Sequence, residues 1–402
     1  MWKRFVHQLR CPVSGEPLTL VPFQEADALV TDQMAAAAEA AGYSRSTREF
    51  ARRVDAGVLL APSAGLAYPI ARGVPLMLPY ETALHAQFAR DFSGELSNLG
   101  PRYRFPSCCP RPGEQALLRS FSRKWAGYRY DGVIWDVSWE DNDRRVVTEL
   151  GLRKLSDVPH NLLEVGCGIG LTTAQAQRHL KGDAVGVDLS LPVVGAAEHF
   201  RGHPLLHFVQ ASAFYLPFES GAFDVIYSRG ALHHTDSTRD ALMAVAKHCR
   251  PGGRFYLWVL GRGSVNDTAF RRIAYAAEIA LRPILSRVPG VISTAMLAPI
   301  ALGYVGFNRL RRRSNGSVQS FTFQRALDSA RDRFTPRYAH RQDAEQVVAW
   351  FREAGFEGIE IVDWREIPSA DQDDYRRNTG VRGARPAVAS DTSVNAPVAR
   401  TS

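Results

Sequence analysis

The feature that most constrains this chain is an apolar strand that runs directly into three glycines at alternate positions. Residues 161–170 read NLLEVGCGIG, so Gly166, Gly168 and Gly170 follow the strand at once. Because glycine has no Cβ, such a backbone can approach a ligand at points where a side chain would clash. The pattern predicts a strand, a ligand-binding turn and a helix, in that order.

Spacing disfavours two common kinds of nucleotide loop. A dinucleotide fingerprint needs a third small residue at the position of Leu171, and a triphosphate-binding loop needs a lysine that does not follow here. Asp188 ends the next apolar segment, 18 residues after Gly170. We expect its carboxylate to accept hydrogen bonds from two ribose hydroxyls, and a helix cap is the alternative role.

Short apolar segments alternate with helix-like segments through the middle of the chain. Small or acidic residues close each apolar segment, a rhythm typical of a parallel sheet with helices between its strands. Strands are predicted at 162–165, 184–187, 206–209, 225–228 and 255–260, and a helix ended by Gly355 precedes a further strand at 359–362. The predicted fold class is therefore α/β.

Several motifs in this order resemble those of class I S-adenosylmethionine-dependent methyltransferases of the small-molecule branch. The resemblance covers residues 121–260, with a weaker match at 335–363. Its motifs are Glu164-x-Gly166-x-Gly168-x-Gly170, Asp188, Leu216-Pro217-Phe218 with Phe223-Asp224, and Pro251-Gly252-Gly253. The resemblance implies a Rossmann-like sheet with helices on both faces, an enzyme, and S-adenosyl-L-methionine as its cofactor.

The same resemblance implies the cofactor-binding residues, which are Glu164, Gly166, Cys167, Gly168, Gly170, Asp188, Leu189, Ser212, Ala213, Phe214, Ser228, Trp125 and Tyr128. Ser212 departs from the family pattern, which has an acidic residue there to contact the adenine amino group. A serine hydroxyl lacks that charge, so we expect adenine to depend more on the Ala213 backbone and apolar neighbours. Trp125 and Tyr128 are expected at the sulfonium, with ordinary core packing as an equal alternative.

Residues 227–234, YSRGALHH, follow the fourth predicted strand, at the edge where parallel sheets bind ligands. They lack the Asn/Asp-Pro-Pro-aromatic signature of enzymes that methylate amino groups of nucleobases and glutamine. Histidine titrates near neutral pH, so His233 and His234 are the candidate catalytic bases. A structural role for His234 at the helix beginning near Asp236 is the favoured alternative.

The first 80 residues are predicted to form a separate unit. CPVSG at 11–15 and LAPSAGLAYPIARGVPLMLP at 60–79 resemble the frame of a zinc-ribbon-like domain that occurs alone or fused to methyltransferases. Cys11 is retained from that domain's metal ligands, whereas the other ligand positions hold Ser14, Ala61 and Ala64. Tetrahedral zinc needs four ligands, so residues 1–80 are predicted to be a degenerate ribbon without metal.

The rest of the chain divides by composition. Residues 81–150 are aromatic-rich and are predicted to be a helical cap or linker, followed by the methyltransferase domain at 151–368. Residues 369–402 have little large apolar content and are predicted to be a disordered tail. A polar stretch precedes the last helix, and we favour a solvated loop over contact with the acceptor for Arg337, Tyr338, His340 and Arg341.

After the fifth strand, residues 262–320 form an insertion too long for an ordinary connection, so a helical lid or docking element is predicted. Residues 288–308 carry no charge, and arginines flank them at Arg282, Arg287, Arg309, Arg311, Arg312 and Arg313. We favour an apolar lid over an interfacial membrane helix, and both over a membrane span, since Pro289 and Pro299 interrupt the run. Peripheral membrane contact through 288–313 is the partner prediction that follows.

Composition is that of an ordinary globular protein, with 402 residues, 45% apolar residues, 22% charged residues and a formal charge of +8. Five irregularly spaced cysteines and the lack of a signal-peptide pattern predict a cytoplasmic, or peripherally membrane-bound, protein. The predicted activity is methyl transfer to oxygen or carbon of a small, lipophilic acceptor. The alternatives are a methyltransferase of RNA or protein, and a non-catalytic cofactor-binding regulatory subunit. Nucleic acid is a disfavoured partner, because surplus charge alone does not indicate it.

Overall fold

A computed structural model describes residues 1–28, 31–40, 51–125, 128, 130, 133–134, 137–155, 157–262, 269–288, 290–314 and 322–387. Several predicted features lie outside the described residues. They are Pro289, the side chains of Arg311, Arg312 and Arg313, and the end of the predicted tail at 388–402.

The N-terminal unit is built on a four-stranded antiparallel sheet. Its elements are a 3-10 helix (Lys3–Gln8), β1 (Thr19–Asp27), α1 (Asp32–Ala40), β2 (Arg52–Ala61), β3 (Leu66–Ala71) and β4 (Val74–Pro75). Alternate residues of β2 point to opposite faces, as the pleat of a strand requires. Val58 and Leu60 pack near Phe88, whereas Leu59 joins a core that continues into the rest of the molecule.

Hydrogen bonds join the two loops where the ribbon pattern would place its metal ligands. The Glu16 carboxylate accepts from the backbone N–H groups of Ser63 and Ala64, each at 2.9 Å, and from the Ser14 hydroxyl at 2.9 Å. Buried Cys11 has its Sγ 3.3 Å from the Tyr68 hydroxyl. Among the described residues, no group of three or more His, Cys, Asp and Glu is arranged to hold a metal ion. The zinc-free state of the purified protein stays a prediction.

The predicted cap at 81–150 is mainly helical. It contains α2 (Ala83–Asp91), α3 (Ser93–Asn98), α4 (Glu114–Trp125), the short strands β5 (Val133–Ile134) and β6 (Val137–Ser138), α5 (Trp139–Leu150) and a 3-10 turn (Leu152–Lys154). The Ser138 hydroxyl caps α5 by accepting from the Asp141 N–H at 3.1 Å, and Gly151 ends it in the left-handed conformation. These helices carry part of the cavity wall described below.

A seven-stranded sheet forms the centre of the molecule. Its first part contains β7 (His160–Val165), α6 (Leu171–Leu180), β8 (Lys181–Asp188), α7 (Pro192–His199), β9 (Leu206–Gln210), β10 (Phe223–Arg229), a 3-10 turn (Leu232–His234), α8 (Thr238–Ala246) and β11 (Cys249–Val259). After the insertion come α12 (Ala344–Glu353), β12 (Glu357–Ile361), a 3-10 turn (Trp364–Glu366), α13 (Ser369–Tyr375) and β13 (Thr379–Ala384). The strand order is β12-β13-β11-β10-β7-β8-β9.

Helices cover both faces of this sheet. Residues of α5, α6 and α7 belong to the core on one face, and residues of α8 and α12 belong to the core on the other. The strands from β7 to β11 pair in parallel, as predicted. The α/β fold class with helices on both faces is therefore confirmed.

The C-terminal strand corrects two predictions. β13 pairs antiparallel with both β11 and β12, so the sheet is not wholly parallel. The predicted disordered tail is also wrong for residues 369–387, because α13 and β13 are part of the fold. A Cβ on Gly380 would lie 2.7 Å from the Tyr256 hydroxyl, and one on Gly383 would lie 3.1 Å from the Phe351 ring. Close packing thus requires the small residues that made this stretch look unstructured.

The N-terminal unit is not separate from the sheet, because it docks at the β9 edge. The Met77 N–H donates to the Gln210 carbonyl at 2.8 Å. The Arg4 guanidinium makes two hydrogen bonds to the buried Asp183 carboxylate, at 2.8 and 3.1 Å. An uncovered edge strand would expose backbone groups to other chains, so this docking protects the sheet.

The insertion is helical, as predicted, and consists of α9 (Ala269–Leu285) and α10 (Gly290–Ser314), with α11 (Phe323–Phe334) following. α10 continues through Pro299, so that proline does not break the helix as the sequence suggested. Leu297, Ala301 and Val305 of α10 are buried against α11. Most of the remaining apolar surface of α10 is exposed, which matters for the function proposed below.

Candidate functional site

A cavity of about 1660 Å³ opens where β7, β8 and β10 end. In a parallel sheet the carboxyl ends of neighbouring strands meet at one edge, so residues far apart in sequence converge there. Most of the predicted site residues line it, namely Trp125, Glu164, Gly166, Cys167, Gly168, Asp188, Leu189, Ser212, Ala213, Phe214, His233 and His234. The insertion contributes a second part of the wall, including Ile300, Tyr304 and Phe307.

Three predicted residues do not line the cavity, and the structure gives them other roles. Gly170 packs beneath the ring of Phe208, which a Cβ would approach to 2.5 Å. The Ser228 hydroxyl donates to the Val165 carbonyl at 2.8 Å and ties β10 to β7. Tyr128 packs edge-on against Trp125, with ring centroids 5.8 Å apart. These residues support the site from outside it.

Gly168 opens the glycine loop to the cavity. Its φ is +54°, and a Cβ built on it would point towards the Trp125 ring at 3.8 Å. A Cβ at this position would therefore enter the cavity without meeting backbone, whereas one on Gly166 would collide with Ala231. The loop forms a cradle between Gly168 and Trp125 that only a residue without a side chain keeps open.

Asp188 holds this cradle in place. Its Oδ2 accepts from the Gly168 N–H at 2.8 Å, and its Oδ1 accepts from the backbone N–H and the hydroxyl of Ser190, at 2.7 and 2.5 Å. Burial raises the pKa of Asp188, and the hydrogen bonds from Ser190 and Gly168 oppose that rise. Oδ2 has a second lone pair free, and a ligand hydroxyl can take the place of the Ser190 hydroxyl at Oδ1, so Asp188 can still accept from a ligand.

Glu164 lies deeper, at the end of β7, and is 4% exposed. Burial raises its pKa to about 7, although a hydrogen bond from the Thr173 hydroxyl favours the charged form. The nearby charge of Asp188 raises the pKa further. Glu164 is therefore poised to become fully ionised when a cation lies in the cavity.

The serine that departs from the family pattern has a carboxylate beside it. The Ser212 hydroxyl donates to Oε1 of Glu114, at the start of α4, and the Arg111 N–H donates to Oε2 at 3.0 Å. Glu114 is 6% exposed and lines the cavity, and burial raises its pKa. Sequence analysis missed Glu114, because it precedes Ser212 by 98 residues and no local motif marks it.

The two histidines are buried in the cavity wall. His234 Nδ1 lies 2.9 Å from the Tyr338 carbonyl. Since a carbonyl only accepts, Nδ1 carries the proton and Nε2 keeps its lone pair. Burial lowers the pKa of His234 to about 4 and that of His233 well below its usual value. Both rings are neutral at pH 7, so each can accept a hydrogen bond and orient its donor, although a lowered pKa makes a histidine a weaker proton acceptor.

Of the structural roles considered for His234, capping the following helix is wrong, whereas bracing that helix stays a prediction. Ser237 is the residue before α8, and its hydroxyl accepts from the Asp240 N–H at 3.2 Å. The solvated loop predicted before α12 is wrong at Arg341, because that side chain is 9% exposed and lines the cavity. The local sequence could not predict the burial of Arg341, because that burial results from α9 folding back over the loop.

Comparison with known proteins places the glycine loop in a family. Residues 163–257 match the family model described as a methyltransferase domain. Over 139 residues the chain is 31% identical to an O-methyltransferase of Penicillium expansum, covering 31% of this chain and 50% of that protein. It is 29% identical over 148 residues to a tRNA U34 carboxymethyltransferase of Pseudoalteromonas atlantica, covering 36% of this chain and 45% of that protein.

A solved structure of phosphoethanolamine N-methyltransferase 2 from Haemonchus contortus, in complex with S-adenosyl-L-methionine, aligns with a TM-score of 0.40 and 15% identity. The alignment covers 67% of this chain and 56% of that chain. The chain spans about half the length of the curated relatives it matches.

Proposed function

Because residues 163–257 match a methyltransferase domain, we propose that this chain is a class I S-adenosylmethionine-dependent methyltransferase that methylates oxygen or carbon of a small, lipophilic acceptor. One observation carries the proposal. The glycine loop and Asp188 share their cavity with the apolar side chains Ile300, Tyr304 and Phe307 of the insertion. A cofactor bound at the loop would therefore face a wall that suits an apolar acceptor.

The residues present fit S-adenosyl-L-methionine. The cradle at Gly168 admits a ligand that a side chain would exclude, and Asp188 has lone pairs for ribose hydroxyls. Glu164 would gain charge beside an ammonium group, and Leu189 and Phe214 supply apolar contacts for adenine. When bound, this cofactor supplies an electrophilic methyl group on a sulfonium.

The chain's own contribution to the chemistry is alignment and exclusion of water. Methyl transfer is an in-line displacement, so holding the acceptor's lone pair in line with the methyl group can supply much of the reduction in the activation barrier. Nε2 of His234 can accept a hydrogen bond from an acceptor hydroxyl and orient that lone pair. His233, packed against Trp258 with ring centroids 6.0 Å apart, is the second candidate for this role.

We further propose that Glu114 supplies the adenine contact that Ser212 lacks. A Glu114→Gln protein keeps the shape but loses the charge, so its affinity for S-adenosylhomocysteine is expected to fall about tenfold, the loss of one charge-assisted hydrogen bond. Calorimetry should also show a smaller preference for S-adenosylhomocysteine over S-inosylhomocysteine, which has a carbonyl in place of the amino group. Ser212→Ala, which keeps the carboxylate, serves as the control and should retain that preference. An unchanged preference in Glu114→Gln would remove Glu114 from adenine recognition.

The activity is tested by supplying methyl-labelled S-adenosylmethionine with an organic-solvent extract of cells, and separately with total tRNA. Label in the organic extract, absent with Gly168→Arg protein, supports the proposal. Label in tRNA alone would favour a methyltransferase that acts on RNA. The similarity to a tRNA carboxymethyltransferase is the reason to test this alternative. Cofactor binding without label in any fraction would favour the regulatory subunit.

The exposed face of α10 supports the predicted contact with a membrane surface. By length and composition, Gly290–Leu310 is able to cross a membrane, and only 22% of its most apolar window is buried. Val291, Leu302 and Leu310 are 84%, 61% and 63% exposed. An apolar patch of this kind marks an interaction surface. We propose that α10 lies on a membrane surface and passes apolar acceptors to the cavity; the cytoplasmic location stays a prediction.

The combined variant Val291→Glu, Leu302→Glu and Leu310→Glu tests the membrane surface. Each apolar side chain buried in lipid contributes about 1.5 kcal/mol or more, so sedimentation with phosphatidylglycerol vesicles is expected to fall more than tenfold. The matched control places Glu at Val13, Val158 and Ile361, which are 48%, 58% and 52% exposed away from the insertion. Vesicle binding that both variants retain, or that the unaltered protein lacks, would contradict the proposal.

A further inference from the structure

Three arginines converge on one buried glutamate of α9. Glu278 is 4% exposed, and its carboxylate oxygens lie 3.2 Å from Arg341, 3.6 Å from Arg333 and 3.8 Å from Arg282. Arginine stays protonated in proteins, so three positive charges and one negative charge leave this cluster at +2. We name Glu278, Arg282, Arg333 and Arg341 the arginine cluster.

Lys124 and Arg229, elsewhere on the cavity wall, have more nearly matched partners. Lys124 pairs with Asp332 at 2.5 Å. Arg229 pairs with Asp374 at 2.8 Å and with Glu149 at 3.3 Å. The arginine cluster therefore has a larger surplus of positive charge than the surroundings of Lys124 or Arg229.

Some buried polar atoms of the same cavity wall lack hydrogen-bond partners among the described residues. They are Nε of Arg341, Nε1 of Trp258 and Nδ1 of His233, and all three side chains line the cavity. The Arg341 side chain is 9% exposed, Trp258 is 6% exposed and His233 is 2% exposed. Buried polar groups are normally hydrogen-bonded, and Arg341 Nε and Trp258 Nε1 can only donate, so these two atoms indicate a site that binds a hydrogen-bond acceptor.

The arginine cluster adjoins the apolar part of the wall. The Arg333 guanidinium lies 5.6 Å from the centre of the Tyr304 ring, and Tyr304 lines the cavity together with Ile300 and Phe307 of α10. The Arg341 guanidinium likewise lies 5.1 Å from the centre of the Tyr275 ring. A ligand reaching both regions needs an anionic group and an apolar chain.

From these contacts we propose that the acceptor is an anionic amphiphile, whose carboxylate or phosphate group binds Arg341 and Arg333 while its hydrocarbon chain lies along α10. The inference rests on the proposed function, because it names the acceptor class of the same cavity. Guanidinium groups bind both oxyanions through paired hydrogen bonds, and the N–H groups at Arg341 Nε and Trp258 Nε1 add donors. An oxyanion there would bring the charge of the arginine cluster nearer to neutral.

The test is calorimetry on the full chain, with laurate, dodecyl phosphate and dodecanol as probes below their critical micelle concentrations. The measurements are made with and without S-adenosylhomocysteine, and binding of that compound is measured in the same samples. We expect laurate or dodecyl phosphate to bind at least about tenfold more tightly than dodecanol. Tighter binding of laurate would indicate a carboxylate acceptor, and tighter binding of dodecyl phosphate would indicate a phosphate acceptor.

In Arg341→Gln, the affinity for laurate and dodecyl phosphate is expected to fall to that for dodecanol. Arg341→Lys is expected to retain part of the preference for the anionic probes. Arg352→Gln, at an exposed position of α12, is the matched control and should change nothing. If Arg341→Gln also loses S-adenosylhomocysteine binding, Arg333→Gln decides, because that side chain is 43% exposed and tolerates replacement.

Equal affinity for dodecanol and the anions, or an anion preference that survives Arg341→Gln and Arg333→Gln, would overturn the inference and leave the methyltransferase proposal standing. If the unaltered protein fails to bind S-adenosylhomocysteine, the proposed function itself fails, whatever the amphiphiles do. The two failures are therefore distinguishable.

Discussion

A Gly168→Arg protein is expected to fold and to bind no detectable S-adenosylhomocysteine. The arginine side chain would extend from the glycine loop into the space between Gly168 and Trp125. Because the Cβ itself meets nothing closer than 3.8 Å, the fold needs little adjustment beyond a positive-φ cost of about 1–2 kcal/mol. Calorimetry measures binding, and thermal unfolding measures the fold.

Gly195→Arg is the matched control, since a Cβ on Gly195 of α7 has no atom within 4 Å. It adds the same side chain and charge outside the cavity and should bind the cofactor normally. A folded Gly168→Arg protein with unchanged affinity would show that the ligand does not use this loop.

Asp188→Ala is expected to weaken cofactor binding by about a hundredfold or more. Two charge-assisted hydrogen bonds to ribose hydroxyls contribute about 1.5–3 kcal/mol each, and 1.4 kcal/mol is tenfold in affinity. The substitution also removes the acceptor for the Gly168 N–H, so the loop loses an anchor. Calorimetry with S-adenosylhomocysteine measures the loss.

Two further variants separate direct from indirect effects of Asp188. Ser190→Ala removes a hydroxyl that donates to the carboxylate at 2.5 Å but keeps the charge, so a loss below tenfold is expected. Asp188→Asn keeps the shape and one acceptor oxygen, so its affinity should lie between those of Asp188→Ala and the unaltered protein. An Asp188→Ala loss no larger than that of Ser190→Ala would limit Asp188 to holding the loop.

Local sequence was enough to predict the glycine loop and the acidic residue that line the predicted cofactor side of the cavity. The apolar run into Gly166 and Gly168, and the acid at Asp188, belong to one strand-turn-helix unit and the strand that follows. The predicted motifs lie within the stretch at 163–257 that matches a methyltransferase domain, and the predicted α/β sheet with helices on both faces is present. The roles assigned to individual site residues stay predictions until binding is measured.

The prediction from local sequence was wrong for residues 369–387, because small residues are common both in disordered segments and in closely packed strands. In TGVRGA, at 379–384, the scarcity of large apolar side chains suggested disorder. In the fold these residues form a strand between β11 and β12, where Gly380 leaves room for Tyr256. The space beside Gly380 is filled by a side chain of the neighbouring strand, and that contact is visible only in the folded structure.

Sequence by itself determined the parallel strands of the sheet, the glycine loop and the acid at the end of β8, because each of these features is marked by residues a few positions apart. Tertiary structure alone placed Glu114 beside Ser212 and brought Arg341 to Glu278. A hydrogen bond or ion pair depends on distance in space, and the cap and the insertion reach the cavity only after the chain has folded back over the sheet. The cofactor side of the cavity could thus be predicted from motifs, whereas the acceptor side was decided by packing.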